Sequence, residues 1–235
     1  MKLKTSLFAA LVAIAACVTT ATDASAVQLS AWDMFGQPGT QATTPTSSSA
    51  ANITGTDMTR GAGLSTSGAG NAMSSSSWGS TAASPAVDTE YFSFGFNVDT
   101  GFQVDLDELI IGTRSSNTGP GTIGVYSNQD GFTTALATIV QQGSDFANSI
   151  IDLSSLTGVT GTLELRLIEI GNTQADGSGT TSNGGTFRVV DYYDGSNFVD
   201  TQLTGTVSAV PEPGALAGIF SLGLVGAAVG RRRRR

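Results

Sequence analysis

The side chains best suited to chemistry in this chain are carboxylates. Asp105, Asp107, Glu108, Glu164 and Glu169 are candidates for the acid and base of a glycoside hydrolase, a reaction that needs two carboxyl groups flanking one bond. Their spacing singles out no such pair. Glu164 and Glu169 stand five apart in an alternating segment, and strand residues an odd number apart face opposite sides. Histidine is absent from the sequence, which excludes His-dependent triads, His general bases and ordinary zinc or copper sites. Cys17 is the single cysteine, so the body of the chain has no thiol nucleophile, thiolate metal site or disulfide. Gly177-Ser178-Gly179 is no phosphate loop, because no Lys-Ser/Thr follows it into a helix. The sequence predicts no enzyme and no catalytic residue, and a lyase in particular would lack a His or Lys base.

Binding chemistry is better supplied. Asp99-Thr100-Gly101, Asp130-Gly131, Asp176-Gly177 and Asp191 with Asp194-Gly195 are turn carboxylates, and their hard oxygens suit calcium. No cofactor is required, and a structural calcium ion is compatible. None of these turns has EF-hand or nonapeptide spacing, and Asp-Gly is above all a turn signal, so no metal ligands are assigned. Arg114 can clamp a sugar hydroxyl or carboxylate, but is expected to pair with a nearby acid and order the Gly119-Pro120 loop. Tyr192 and Tyr193 can stack on a sugar ring, although at least one of two neighbouring strand residues is expected to face the core.

The elements that must position these groups are strands. Phe92, Phe94 and Phe96 alternate with Ser93 and Gly95, and Leu163, Leu165 and Leu167 alternate with Glu164 and Arg166. Both runs have the period of a half-buried strand. Leu109 to Thr113, Thr122 to Ser127, Ala135 to Val140, Ser149 to Leu153, Phe187 to Tyr193 and Leu203 to Ser208 continue the series, and Trp32-Asp33-Met34-Phe35 reads as a first strand. No helical stripe appears between the two ends of the chain. Short strands at about ten-residue spacing predict an all-β, antiparallel β-sandwich or jelly roll. Residues 37–85 are rich in Ser, Thr, Gly and Ala, so they read as low-complexity and loosely structured. One or two short strands are expected near Asn52 to Arg60, and Trp78 is expected to pack on the sandwich.

The whole chain has 11 Lys+Arg against 19 Asp+Glu. Most of the basic residues sit at the two ends. Between Val27 and Val210 there are four arginines, no lysine and seventeen carboxylates. Such a surface favours solubility outside the cell, attracts divalent cations and repels nucleic acid and anionic polymers.

The two ends read as addresses. Met1 to Ala26 has the pattern of a signal peptide: Lys2 and Lys4, an apolar core from Leu7 to Val18, and the small-x-small cleavage site Ala24-Ser25-Ala26. The expected mature chain is residues 27–209 of an exported β-sandwich plus the tail. Ile14-Ala15-Ala16-Cys17 also fits a lipobox, with Cys17 as the lipidated residue; the later cleavage site is favoured. At the other end, residues 210–235 place Pro211, Glu212 and Pro213 before the uncharged segment Gly214 to Gly230, then Arg231, Arg232, Arg233, Arg234 and Arg235. Seventeen residues of helix cover roughly 25 Å, near the short limit for a membrane span. The arginines form a membrane stop cluster that stays cytoplasmic.

Motif, apolar segment and arginine cluster in this order resemble a PEP-CTERM sorting tail. That resemblance covers about a tenth of the chain. It implies export across the inner membrane, anchoring there by the C-terminal helix, and then processing near Pro211-Glu212-Pro213 by an exosortase-type membrane enzyme. Arg114-Ser115-Ser116, Gly119-Pro120, Asp130-Gly131-Phe132 and Asp152-Leu153-Ser154-Ser155-Leu156 look like exported β-sandwich domains that precede such tails. This looser resemblance implies a jelly roll near carbohydrate-binding modules, without a settled ligand. The expected product is a non-enzymatic cell-surface or extracellular protein, structural or adhesive in exopolysaccharide or biofilm. The alternative is a carbohydrate-binding module for a defined glycan.

Overall fold

The computed structural model describes residues 26–79 and 82–210. The signal segment with Ala24, the Pro211-Glu212-Pro213 motif, the apolar segment and the arginine cluster lie outside the described residues. Ala26 is described and exposed. Among the described residues no helix is long and apolar enough to cross a membrane.

The described chain is all-β. Its strands begin with β1 (Val27–Trp32), β2 (Pro38–Gly39), β3 (Ser48–Ser49), β4 (Ile53–Arg60), β5 (Ser65–Thr66) and β6 (Ala72–Ser76). There follow β7 (Tyr91–Val98), β8 (Phe102–Ser115), β9 (Thr122–Ser127), β10 (Ala137–Val140), β11 (Phe146–Asp152) and β12 (Thr162–Glu169). The last are β13 (Phe187–Val190), β14 (Tyr192–Tyr193), β15 (Phe198–Val199) and β16 (Thr201–Ala209). A nine-stranded sheet runs β2-β6-β13-β8-β16-β1-β3, with β11 on β8 and β5 on β6. A five-stranded sheet runs β10-β9-β12-β7-β4, and β14 and β15 form a separate pair. All pairings are antiparallel except the two-residue contact of β2 with β6.

The two alternating runs of the sequence meet at the centre of the smaller sheet. Leu163 pairs with Phe96, Leu165 with Phe94 and Leu167 with Phe92, and all six side chains are buried. Apolar pairs directly across a ladder are the unit of sheet stabilisation. The larger sheet covers them: Trp32 at the end of β1 meets Phe94 edge-on at 5.0 Å, and Phe187 of β13 lies 5.9 Å from Phe92.

β8 is the spine of the larger sheet, and one irregularity sets its facing. Leu203 of β16 pairs with Leu109, but Gly205 pairs with Leu106, so Asp107 and Glu108 stand opposite a single residue. This bulge advances the alternation by one. Val104 and Leu106 point inward before it, and Leu109, Ile111, Thr113 and Ser115 after it. Ile110, Gly112 and Arg114 are thereby turned to the outer face.

Residues 37–85 are more ordered than their composition suggests. They contribute β2 to β6, with β4 at the edge of the smaller sheet and β6 inside the larger one. Of their few large apolar side chains, Ile53, Met58, Met73 and Trp78 are buried and Leu64 is half-buried against the core. Trp78 stands edge-on to Phe92 at 5.7 Å and to Phe187 at 5.4 Å. Arg60 binds the segment to itself: its Nε donates to Ser74 O at 3.1 Å and to Ser75 Oγ at 2.9 Å, and its terminal nitrogens reach the Gln41 and Gly39 carbonyls. A count of hydrophobes misses such order because small side chains let backbones approach closely. The first strand also differs from expectation. It ends at Trp32, after which Met34 turns into the core and Phe35 turns out.

Candidate functional site on the outer face of the larger sheet

The outward residues of β8 and its neighbours form rows across the sheet. Phe146 of β11 pairs with Arg114 of β8, which pairs on its other side with Arg188 of β13. Two residues along, Asn148, Gly112 and Val190 make a parallel row. Directly paired residues share a face, so pairing alone brings these side chains together.

A hairpin folds over this face. β13 and β16 occupy the same edge of β8 end to end, because β11 holds the other edge. Between them residues 191–200 leave the sheet as β14 and β15. Gly112 makes room for the excursion: a Cβ there would lie 2.4 Å from the Asp191 carbonyl oxygen. The hairpin is tied down where Tyr193 N donates to Asn148 Oδ1 at 3.0 Å. Its turn is closed by Asp194, whose Oδ1 accepts from Ser196 N and Asn197 N, both at 2.7 Å. Those two donors hold the Asp194 carboxyl below its usual range.

The result is a cleft of about 350 Å³ with an aromatic rim. Phe35 is 77% exposed, Phe198 75%, Phe146 59% and Tyr193 42%, and all four line it. Exposed apolar side chains scattered singly are ordinary, but four on one concave surface make it a candidate interaction site. Tyr193 and Phe198 lie 5.0 Å apart at 43°. Asn71, Asn148, Arg188 and Asp191 supply polar groups, and Asn71 also fixes the Phe35 loop by accepting from Gly36 N at 2.8 Å.

The electrostatics are uneven. The Arg188 side chain makes no hydrogen bond to any described residue, and burial together with the facing Arg114 lowers its pKa. Arg114 donates to the Ser144 carbonyl and lies 4.9 Å over the Phe146 ring. At the feet of the hairpin, carboxylate oxygens of Asp33, Asp191 and Asp200 lie within 4.8 Å of one another. Each accepts a hydrogen bond: Asp33 from Phe35 N at 2.7 Å, Asp191 from Met34 N at 3.0 Å, and Asp200 from Ser47 Oγ at 2.9 Å. Burial pushes Asp191 up to about 6; the Met34 bond opposes this, and Asp33 and Asp200 add to it.

The acids read as candidate catalysts do not converge. Asp105, Asp107 and Glu108 lie on β8 at or next to the bulge, and Asp105 accepts from Gly158 N at 2.7 Å. Glu164 is on the smaller sheet, paired with Arg166 at 2.7 Å. Glu169, at the end of the same strand, accepts from Thr181 Oγ1 and is pushed up to about 7, chiefly by burial. Among the turn carboxylates, Asp130 accepts from Thr134 N at 2.9 Å and Asp176 from Ser178 N at 2.9 Å, as turn caps do.

Two expectations are corrected. Arg114 has no acidic partner among the described residues; its strand neighbours present Phe146 and Arg188. Neither tyrosine is in the core: Tyr192 is half-buried and Tyr193 exposed, because β14 pairs only with β15, outside both main sheets. Sequence reasoning missed Phe35, Phe146, Phe198 and Arg188. Phe146 and Phe198 each follow closely on turn residues, Gly143-Ser144-Asp145 and Asp194-Gly195-Ser196-Asn197. A large aromatic at such a place was the available signal.

No family model and no curated protein matches this sequence. Among solved structures, two point mutants of CBM29-2, from a study of ligand recognition by family 29 carbohydrate-binding modules, are similar to it at 11% and 12% identity. Each alignment covers 78% of this chain and 92% of the other, with TM-scores of 0.36 and 0.34. Similarity at that level transfers neither site nor ligand, and the reading of the cleft stands on its own geometry.

Proposed function

We propose that this chain is a non-enzymatic, exported surface protein whose β-sandwich holds an extracellular glycan in the aromatic cleft. The observation that carries the reading is the set of four exposed aromatic rings around one cleft. A sugar ring presents an apolar face that packs on aromatic side chains, while its hydroxyls need donors and acceptors at the edge. Asn71, Asn148, Arg188 and Asp191 provide these at the cleft. A hydrolase would need two carboxylates facing the bound sugar, and of the Asp33, Asp191 and Asp200 group only Asp191 lines the cleft.

Delivery belongs to the same proposal. The PEP-CTERM-like tail would hold the chain in the inner membrane until an exosortase-type enzyme acts near Pro211-Glu212-Pro213. The sandwich would then serve in exopolysaccharide at the cell surface or in the surrounding matrix. Binding of the purified protein to a panel of polysaccharides tests the cleft. Saturable binding to at least one polymer, weakened by Phe198→Ala, is the expected outcome. Binding to none, or binding that ignores the substitution, would remove the cleft from the account. Turnover of any polymer would refute the non-enzymatic reading.

A further inference from the structure

Of the four arginines in the body of the chain, Arg60, Arg114 and Arg166 each make a side-chain hydrogen bond to a described residue, and Arg188 makes none. Arg60 is bound by backbone carbonyls and Ser75. Arg166 pairs with Glu164 and lies 4.2 Å over Tyr91 and 3.9 Å over Phe132. The other two, Arg114 and Arg188, are set directly opposite each other across β8 and β13. Like charges in that position repel, with Cβ atoms about 5 Å apart. Seventeen carboxylates were available to separate them, yet neither takes one, and the single ion pair among the described residues is Arg166 with Glu164. The Arg188 side chain is half-buried in the wall of the aromatic cleft, with no acceptor among the described residues and with its nitrogens open to solvent.

An arginine cannot escape this situation by losing its proton. Its solvent-open fork of N–H donors matches an anion of planar, two-oxygen geometry. We infer that the cleft takes a sugar carrying a carboxylate, a uronic-type residue of an extracellular glycan, with Arg188 as the partner of the carboxylate and the Phe146 and Phe198 rings beside the sugar. The inference rests on the glycan-binding reading above and specifies its ligand class. The net negative charge of the domain works against such a ligand, and Asp191 lines the same cleft. Repulsion from carboxylates more than about 8 Å from the cleft is screened at physiological salt, so an isolated carboxylate reaches Arg188 while a dense polyanion is disfavoured.

The test is isothermal titration of the full chain in detergent against glucuronoxylan and xanthan, each beside its carboxyl-reduced counterpart. The expected result is at least about ten-fold tighter binding to the acidic form, with the preference abolished in Arg188→Gln. Equal binding to acidic and reduced forms would overturn the inference and leave the glycan reading intact. A preference that survives Arg188→Gln would overturn the assignment to Arg188. Binding to neither form of either polymer would overturn the inference; glycan binding itself would then be judged on the wider panel. The comparison of acidic with reduced polymer is made on the unsubstituted protein, so it stands even if the variant fails to fold.

Discussion

Replacing Trp78 with alanine asks whether the Ser/Thr-rich segment is part of the core. Trp78 is 3% exposed, meets Phe92 and Phe187 edge-on, and donates from Nε1 to Ser75 O at 3.2 Å. A buried tryptophan removes about 150–250 Å² from water. At about 25 cal/mol per Å² that is roughly 4–6 kcal/mol, an upper bound because the unfolded chain is itself partly compact. Large aromatic-to-alanine substitutions in cores cost about 3–5 kcal/mol. The expected loss is therefore about 4 kcal/mol, seen in urea unfolding as a midpoint lowered by about 1.3–2 M for a slope of about 2–3 kcal/mol/M. Trp78→Phe keeps one aromatic ring and is expected to lose about 1–2 kcal/mol, which gives a measurable variant if alanine unfolds the domain outright. A loss below about 1 kcal/mol for Trp78→Ala would refute the packing of residues 37–85 into the sandwich.

Gly112→Ala should displace the hairpin, since its Cβ would meet the Asp191 carbonyl at 2.4 Å; glycan binding is expected to fall while the far-ultraviolet circular dichroism spectrum stays that of the parent. Thermal stability should decline from pH 5 to pH 8. Asp191 and Glu169 have folded values raised to about 6 and about 7, so their contribution is present below the ordinary carboxyl range and is lost as pH rises through those values. Asp130, Asp152, Asp176 and Asp194 are shifted down, and their contribution is lost as pH falls below about 4; melting curves across pH 3 to 8 should peak near pH 5, and a flat or rising profile above pH 5 would contradict the assignment. Intact mass of the protein recovered from its host should show a C-terminus near Pro211 to Pro213; a chain that keeps Arg235 and is found only in membranes would refute processing.

The fold was legible where burial follows a simple period. Phe92 to Phe96 and Leu163 to Leu167 alternate, and they pair with each other at the centre of the smaller sheet. The all-β class followed from such runs and from the turns between them. The bulge at Asp107 and Glu108 was not legible, because it depends on a register with β16 nearly a hundred residues away. Order in residues 37–85 was hidden for a related reason. It rests on a few completely buried side chains and on the Arg60 bonds, whereas composition averages over the whole stretch. The cleft was illegible as a unit. Its rim comes from the loop after β1, from β11 and from the β14–β15 hairpin, and only the fold brings them together. Tyr193 and Asp191 carried a visible signal, but Arg188 and the exposed phenylalanines gained meaning only from their cross-strand partners.

The decisive measurement is the affinity of the protein for polysaccharide extracted from its own host, compared among the parent and the Phe146→Ala, Tyr193→Ala and Phe198→Ala variants. Stacking contacts worth about 0.5–1.5 kcal/mol each beyond buried area predict saturable binding that each substitution weakens by at least about three-fold. Undiminished binding in all three variants, with their folds intact, would contradict the cleft as the glycan site.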